Sequence, residues 1–140
     1  MLFHNDGELP LRNLPYELRN ILVFGSNTAG IHGAGAAKVA HEHFGAVWGK
    51  GSGLYGDSYA IPTKDRSIET LPLVLIKPYV TKFVEMTMYH DKIKFFVTAV
   101  GTGLAGYSDM DIAPMFKGVS DSCNMPIQWK EFLLWAMKIN

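Results

Sequence analysis

A glycine-rich connection constrains this chain more than any other sequence feature. It reads VFGSNTAGIHGAGAAK over residues 23–38 and holds four glycines with few bulky side chains. A loop of this composition loses much backbone entropy on folding and packs few side chains. Either its turn must be unusually tight, or another group must approach its backbone closely.

The segments on either side of this loop have opposite character. Residues 20–24 (NILVF) form a short apolar run that ends at glycine, which is typical of a buried strand. Residues 35–45 (GAAKVAHEHFG) place apolar residues at helical spacing and stop at a glycine suited to a helix C-cap. The first glycine-rich region therefore connects a strand to a helix.

The same alternation continues along the chain. We predict strands at 58–63 and 93–100, a helix capped by Thr70 with Pro72 in its first turn, a short helix after residue 108, and a last helix after Pro126. Ile76, Val80, Phe83 and Thr87 should share the buried face of the long helix, which Pro78 should kink or begin. The pattern indicates an α/β domain with a largely parallel or mixed sheet.

Two segments lie outside this alternation. Residues 1–18 have mixed polarity and two prolines, and we interpret them as an N-terminal arm that leads into a single domain over residues 19–140. Residues 45–57 are dense in glycine, and we interpret them as an excursion without regular structure. The last helix should pack Trp129, Phe132, Leu133 and Met137 on the sheet.

Composition limits the partners and the compartment. The chain has 13 basic and 13 acidic residues among 140, so it lacks the positive electrostatic field that is expected of a protein that binds long nucleic acid. Cys123 is the single cysteine, which fits a reducing cytosol and excludes an internal disulfide. The chain contains no run of 18 apolar residues and no basic, apolar leader, so we expect a soluble cytoplasmic protein with no membrane contact.

The glycines cluster at the ends of two predicted strands. Of the 14 glycines, twelve fall in residues 25–56 and 101–106. Right-handed crossovers bring the carboxyl ends of parallel strands to one edge of a sheet, so the two loops should meet across a cleft. Unpaired N–H groups at the start of the following helix favour a phosphate or carboxylate, and Lys38 could contact such an anion. The loop matches neither the Walker pattern nor the dinucleotide pattern.

Four segments taken together resemble a known family. The order and spacing of VFGSN, HGAGAAKVAHEHFG, SYAIPTKD and FVTAVGTGLAGYSDMDIAPMF resemble those of the macro domain, the module that binds ADP-ribose. The resemblance covers about residues 20–117 and is closest to the branch of the DNA ADP-ribosylation antitoxin and the glutamate-ADP-ribose hydrolases. The chain is also similar to small phage and bacterial proteins of unknown function that share FGSN, HGAGAA and SYAIPTKD. The resemblance implies a three-layer fold with a mixed central sheet flanked by helices.

The resemblance also assigns binding residues. Asn27 would face the distal ribose, the loop before the first helix would wrap the ribose and diphosphate, and Tyr107 could stack on ribose or base. Pro62, Thr63 and Lys64 match the family's segment after the next strand. The ligand-binding set expected here is Gly25, Ser26, Asn27, Gly33, Ala34, Gly35, Ala36, Lys38, Thr63, Gly101, Thr102, Gly103, Leu104, Ala105, Gly106 and Tyr107.

The departures from the family concern catalysis. Where hydrolases of that branch carry a Lys in the first glycine loop, this chain has Ala34, and their acid in the second loop falls at Ala105 or Ser108. The larger class of macro hydrolases has an Asp where this chain has Ala36 or Ala37. These replacements favour binding over hydrolysis by the family's usual routes.

Three residues remain as catalytic candidates. Asn27 could position a ribose or water, while His32 or Asp109 could move the proton. The alternatives are that Asn27 closes its turn, His32 is a polar loop residue and Asp109 caps a helix. His41 and His43 lack an acidic or cysteine partner at ligand spacing, so we predict no metal site and no cofactor.

The sequence thus predicts a protein that binds ADP-ribose or a related NAD-derived nucleotide in a cleft between two glycine loops and that could hydrolyse an ADP-ribosyl bond. The alternative is a non-catalytic reader of ADP-ribosylated macromolecules or a sponge for an ADP-ribose-type signal, for example in phage counter-defence. The neutral charge disfavours an RNA-binding module. The sequence does not predict the oligomeric state.

Overall fold

The computed structural model describes residues 1–138, with side chains through residue 134. The chain forms a six-stranded sheet flanked by helices. The strands are β1 Leu2–His4, β2 Asn20–Asn27, β3 Gly53–Tyr55, β4 Ser58–Lys64, β5 Lys94–Val97 and β6 Cys123–Pro126. The helices are α1 Gly35–His43, α2 Leu73–Tyr89, α3 Asp109–Ile112 and α4 Lys130–Lys138, with 3-10 turns at Tyr16–Leu18, Ala113–Phe116 and Ile127–Trp129.

The sheet is mixed, with the strand order β1-β6-β5-β2-β4-β3. Five neighbouring strands, β1, β6, β5, β2 and β4, run parallel, and only β3 joins antiparallel, as a hairpin with β4. Because the five parallel strands point the same way, their carboxyl ends share one edge of the sheet. The loops that follow them therefore gather at that edge.

Strand β2 shows why the sheet is covered on both faces. Ile21 and Val23 point into a core with α2, α3 and the residues around Trp129, while Leu22 and Phe24 point into a second core with α1. All four are fully buried, which explains the continuous apolar run in the sequence. The predicted α/β class, with its mixed sheet between helical layers, is confirmed.

The long helix α2 packs as the spacing predicts, but it begins later. Ile76, Val80, Phe83 and Thr87 are all fully buried. The prediction that Thr70 caps the helix is wrong, because Thr70 pairs with Lys64 in an isolated β-bridge and Pro72 occupies the N-cap position. The helix continues through Pro78, which lies on the solvent face, where water can satisfy the carbonyl group that Pro78 leaves without an amide partner.

The N-terminal segment and the excursion both contribute strands that the sequence analysis did not predict. Within the segment interpreted as an arm, β1 pairs in parallel with β6, with Leu2 opposite Asn124 and His4 opposite Pro126. The His4 ring stacks on Phe96 and its Nε2 atom donates to the Val97 carbonyl at 2.7 Å, which anchors this edge strand to β5. Residues 2–4 of the segment are thus part of the sheet.

The C-terminal prediction is met where the structure describes side chains. Trp129 and Leu133 are buried and Phe132 packs against the same core, whereas the Met137 side chain lies outside the described residues. Cys123 is also buried in this core, and desolvation raises the pKa of its thiol to about 12. None of the helices within residues 1–138 has the length and apolarity of a membrane span.

Candidate functional site

A cleft of about 610 Å³ opens at the carboxyl edge of the sheet, where the two glycine loops meet. The topology argument thus placed the loops correctly. Most of the predicted ligand-binding residues line this cleft: Gly25, Ser26, Asn27, Gly33, Ala34, Gly35, Ala36, Thr63, Gly101, Thr102, Gly103, Leu104 and Ala105. The lining continues with residues that follow β1 and β6, so the cleft crosses the ends of all five parallel strands.

The first glycine loop presents backbone N–H groups to the cleft. Helix α1 starts at Gly35 after Ala34, whose side chain cannot cap it. The N–H groups of Gly35, Ala36 and Ala37 therefore have no partner in the described part of the chain, and they stand at the positive end of the helix dipole. All three residues line the cleft, so this wall favours an anion.

The second glycine loop forms hydrogen bonds within itself and also leaves three backbone N–H groups unpaired in the described part of the chain. Hydrogen bonds use the N–H groups of Thr102, Gly106 and Tyr107 within the loop. Within residues 1–138, those of Gly103, Leu104 and Ala105 have no acceptor. Both walls at the middle of the cleft thus carry unpaired donors, although their side chains are small or aliphatic.

The glycines of the cleft are of two kinds. A Cβ atom on Gly30 would overlap the backbone of Gly49 and Lys50, so the fold itself requires glycine there. In contrast, Gly33 and Gly103 avoid the left-handed backbone region, and nothing lies within 4 Å of a Cβ added to either. Within the described residues, the fold gives no reason for glycine at these two cleft positions, and the open space there leaves room for a ligand.

The Asn27 side chain lines the cleft but is already engaged. Its Nδ2 atom donates to the Ile31 carbonyl at 2.8 Å, and its Oδ1 atom accepts from the Ile31 N–H at 3.0 Å. The side chain is 7% exposed. Of the two interpretations that the sequence left open, the geometry favours turn closure.

The prediction that His32 moves a proton in the cleft is not supported by its position. His32 is 1% exposed and is not part of the cleft lining. Its Nε2 atom donates to the carbonyl oxygens of Val47 at 2.9 Å and Lys50 at 3.2 Å, and its ring contacts Phe24 and Trp48 edge-on. His32 therefore fastens the excursion, residues 45–57, to the first glycine loop.

Asp109 also lies outside the cleft lining. Its Oδ1 atom accepts a 2.7 Å hydrogen bond from the Nε1 atom of buried Trp129, while Ser108 and Asp111 form the capping box of α3. A carboxylate that accepts a hydrogen bond from a buried indole N–H stabilises the core. The catalytic assignment is therefore corrected to a structural one.

Three predicted ligand-binding residues also fall outside the lining, namely Lys38, Gly106 and Tyr107. Lys38 is exposed, with its Nζ atom 4.0 Å from the Glu42 carboxylate one helical turn away. The Tyr107 hydroxyl donates to the Leu71 carbonyl at 2.6 Å, and its ring packs against the core. Gly106 turns the second loop with φ +86°.

The sequence analysis did not assign the two charged residues of the cleft. Asp6 and Lys64 are the only titratable side chains among the described residues that line the cleft. Asp6 was missed because its segment was interpreted as an arm, whereas Lys64 stood in the PTK match but was not placed in the binding set. The other unassigned lining residues are Ile31, Ala37, Ile68, Thr98, Ala99, Val100 and Gln128.

The order of the strands gives the cleft a direction. Asp6 follows β1 and Lys64 ends β4, and these strands are separated by four inter-strand intervals. At about 4.8 Å each, the intervals add to about 19 Å. The glycine loops follow β5 and β2, between the two charged ends. The cleft is therefore elongated, with an acidic end, a middle of backbone donors and a basic end.

No group of three or more His, Cys, Asp or Glu side chains within the described residues is arranged to hold a metal ion. Polar side chains on the cleft floor bond the backbone instead: Thr63 donates to the Ser26 carbonyl and Thr98 to the Val23 carbonyl. The donors available to a ligand are thus mainly backbone groups. No protein-family model, curated protein or solved structure matches this chain.

Proposed function

We propose that this protein binds ADP-ribose or a related NAD-derived nucleotide in the cleft, as a domain of the macro type. The observation that carries the proposal is the placement of unpaired N–H groups from both glycine loops at the middle of an elongated cleft. A central diphosphate would accept from these groups, and the two halves of the ligand would extend toward opposite ends.

The polarity of the ends fits such a ligand. The Asp6 carboxylate only accepts hydrogen bonds when ionised, which suits the exocyclic amine of an adenine base. Lys64 at the other end offsets part of the diphosphate charge. A nucleoside triphosphate, with its phosphates at one end, fits this arrangement less well than a diphosphate between two sugars.

Binding without turnover is the better-supported form of this function. His32 and Asp109 lie outside the lining, and Asp6 and Lys64 stand at opposite ends of the cleft. A reader or a sponge for an ADP-ribose-type signal in the cytoplasm needs only the binding surface. Hydrolysis remains a second candidate through Lys64, whose amine lines the cleft and is a potential nucleophile.

Thermal melts with ADP-ribose, ADP, ribose 5-phosphate and ATP test the proposal. At 100 times its dissociation constant, a ligand stabilises the fold by about 2.7 kcal/mol, which is a shift of several degrees in Tm. We expect the largest shift with ADP-ribose. No shift with ADP-ribose at millimolar concentration would contradict the proposal.

Two lysine variants give a matched comparison in the same assay. Lys64→Gln should weaken ADP-ribose binding about ten-fold because it removes the cation of the cleft, whereas Lys38→Gln should change it less than two-fold. Equal losses of ADP-ribose affinity in both variants would contradict a diphosphate position near Lys64. Chromatography of the wild-type mixtures detects turnover, and product there would establish hydrolysis. Loss of that product in Lys64→Gln at saturating ligand would assign the step to Lys64.

A further inference from the structure

Three aliphatic residues of the cleft lining are exposed to water. Ile31, Ile68 and Leu104, the aliphatic rim, all line the cleft and are 40%, 43% and 81% exposed, respectively. Exposed apolar side chains that converge on a binding cleft mark a surface that a ligand covers. The rim therefore indicates an apolar part of the ligand.

The backbone at Ile68 supports this interpretation independently. Ile68 has φ +62°, a left-handed conformation that is costly for a β-branched residue. The loop is held by Asp65, whose Oδ1 atom accepts from the N–H groups of Ser67 at 2.8 Å and Glu69 at 3.0 Å. Strain of this kind clusters at active sites and ligand clamps, and here it holds an apolar side chain in the cleft lining.

The rim extends from the middle of the cleft to its basic end. Its residues follow β5, β2 and β4, whereas Asp6 and Gln128 follow β1 and β6 at the acidic end. We consider a ligand with its first base at the acidic end and its diphosphate over the glycine loops. The substituent on the second ribose of this ligand would then contact the rim. Free ADP-ribose carries only a hydroxyl there and would leave the rim in water.

We propose that the preferred ligand carries a neutral planar ring on its second ribose and that Ile68 and Leu104 hold this ring. The inference rests on the proposed function and names its ligand class, a dinucleotide joined by a diphosphate. A flat ring suits aliphatic side chains presented from two opposing loops. The ring is neutral because the Lys64 ammonium group lies at the same end and disfavours a second cation.

Titration with a matched ligand series tests the proposal. NADH, NAD⁺ and diadenosine diphosphate share the ADP-ribosyl part with ADP-ribose and differ in the group on the second ribose. We expect NADH and diadenosine diphosphate to bind about ten-fold tighter than ADP-ribose, which corresponds to about 55 Å² of apolar surface removed from water. NAD⁺, whose ring is cationic, should bind more weakly than NADH.

Ile68→Gly separates function from folding. Glycine tolerates φ +62°, so the variant should melt about 4 °C higher while the preference for NADH over ADP-ribose falls below three-fold. Leu104→Ser should lose the same preference without a change in Tm. Val74→Ser, at a residue 74% exposed on α2 and outside the cleft lining, is the control and should keep it.

The outcomes distinguish this inference from the proposed function. Binding of ADP-ribose with no preference for NADH or diadenosine diphosphate would overturn the ring proposal and leave the proposed function intact. A preference that survives in both Ile68→Gly and Leu104→Ser would overturn the role of the rim. Absence of binding by every ligand in the series would contradict both.

Discussion

The excursion and the cleft loops are equally rich in glycine, yet the two regions use it differently. In the excursion, a Cβ atom on Gly51 would overlap the Asn27 carbonyl group, and Gly49 donates to the Gly30 carbonyl at 2.9 Å. These contacts press the excursion against the back of the first loop. In the cleft, Gly33 and Gly103 face open space.

This difference shows that glycine density alone does not locate a ligand site. The excursion supports the first loop through backbone contacts and His32, and its glycines permit the close approach. Gly33 and Gly103 leave space in the cleft that no described residue fills. Open space is informative at these two positions because the backbone there is not left-handed, whereas Gly49 in the excursion needs glycine for its φ of +89°.

The largest expected effect comes from filling the contact between the excursion and the first loop. Gly51→Ala should lower the free energy of unfolding by more than about 3 kcal/mol, because the backbone at Asn27 must move. Urea titration followed by tryptophan fluorescence measures the loss. A change below 1 kcal/mol would show that the two segments are not tightly packed.

Removing the side chain that fastens the excursion should have the next largest effect. His32→Ala should cost about 2 to 3 kcal/mol because it deletes a buried ring and leaves the carbonyl groups of Val47 and Lys50 without their donor. Hydrogen exchange should accelerate in residues 45–57 and stay unchanged in residues 101–107. Faster exchange in both regions would contradict a local role.

The smallest effect on stability, with the clearest effect on binding, is expected at the cleft glycines. Gly33→Ala and Gly103→Ala should leave the free energy of unfolding unchanged or raise it by about 0.5 kcal/mol, because both positions tolerate a Cβ atom. ADP-ribose affinity should fall at least ten-fold where the added methyl meets the ligand. Unchanged ADP-ribose affinity in both variants would contradict a diphosphate site at these loops.

The variant Gly35→Val, a natural choice from the sequence, would not separate the two effects. Gly35 also lines the cleft, but its φ of +58° strains any side chain with a Cβ atom. A loss of binding there would combine a strained backbone with a filled site. Gly33 and Gly103 avoid this ambiguity.

The elements that the sequence predicted well are those with long or periodic apolar patterns. The core of β2, α1 and the buried face of α2 follow from runs and spacings that only one kind of element accommodates. Strands β1, β3 and β6 were missed because their sequences, LFH, GLY and CNMP, contain no marked apolar run, unlike KFFV in the equally short β5. Their pairing depends on a neighbouring strand far away in the chain.

The candidate site also has features that the sequence predicted and features that it did not. That two glycine loops could meet at one edge followed from the order of strands and helices, because right-handed crossovers bring the ends of parallel strands to the same edge. That β5 and β2 are neighbours came from the structure. The side-chain roles of His32 and Asp109 could not follow, since their partners are carbonyl groups of the excursion and the indole of Trp129, 20 positions along the chain. Residue type gives the chemistry of a group, and only packing decides whether it faces a ligand.

The sequence by itself therefore determined the α/β class, the main buried faces and the edge of the sheet where a cleft forms, because hydrophobic period and chain direction act locally. Only the tertiary structure decided which polar groups remain free at that edge. In the folded chain, His32, Asp109 and the Asn27 amide form hydrogen bonds with other groups of the protein. The groups that line the cleft instead are Asp6, Lys64, the loop N–H groups and the aliphatic rim. The physical reason is that buried polar groups take whichever partner the folded chain brings within reach.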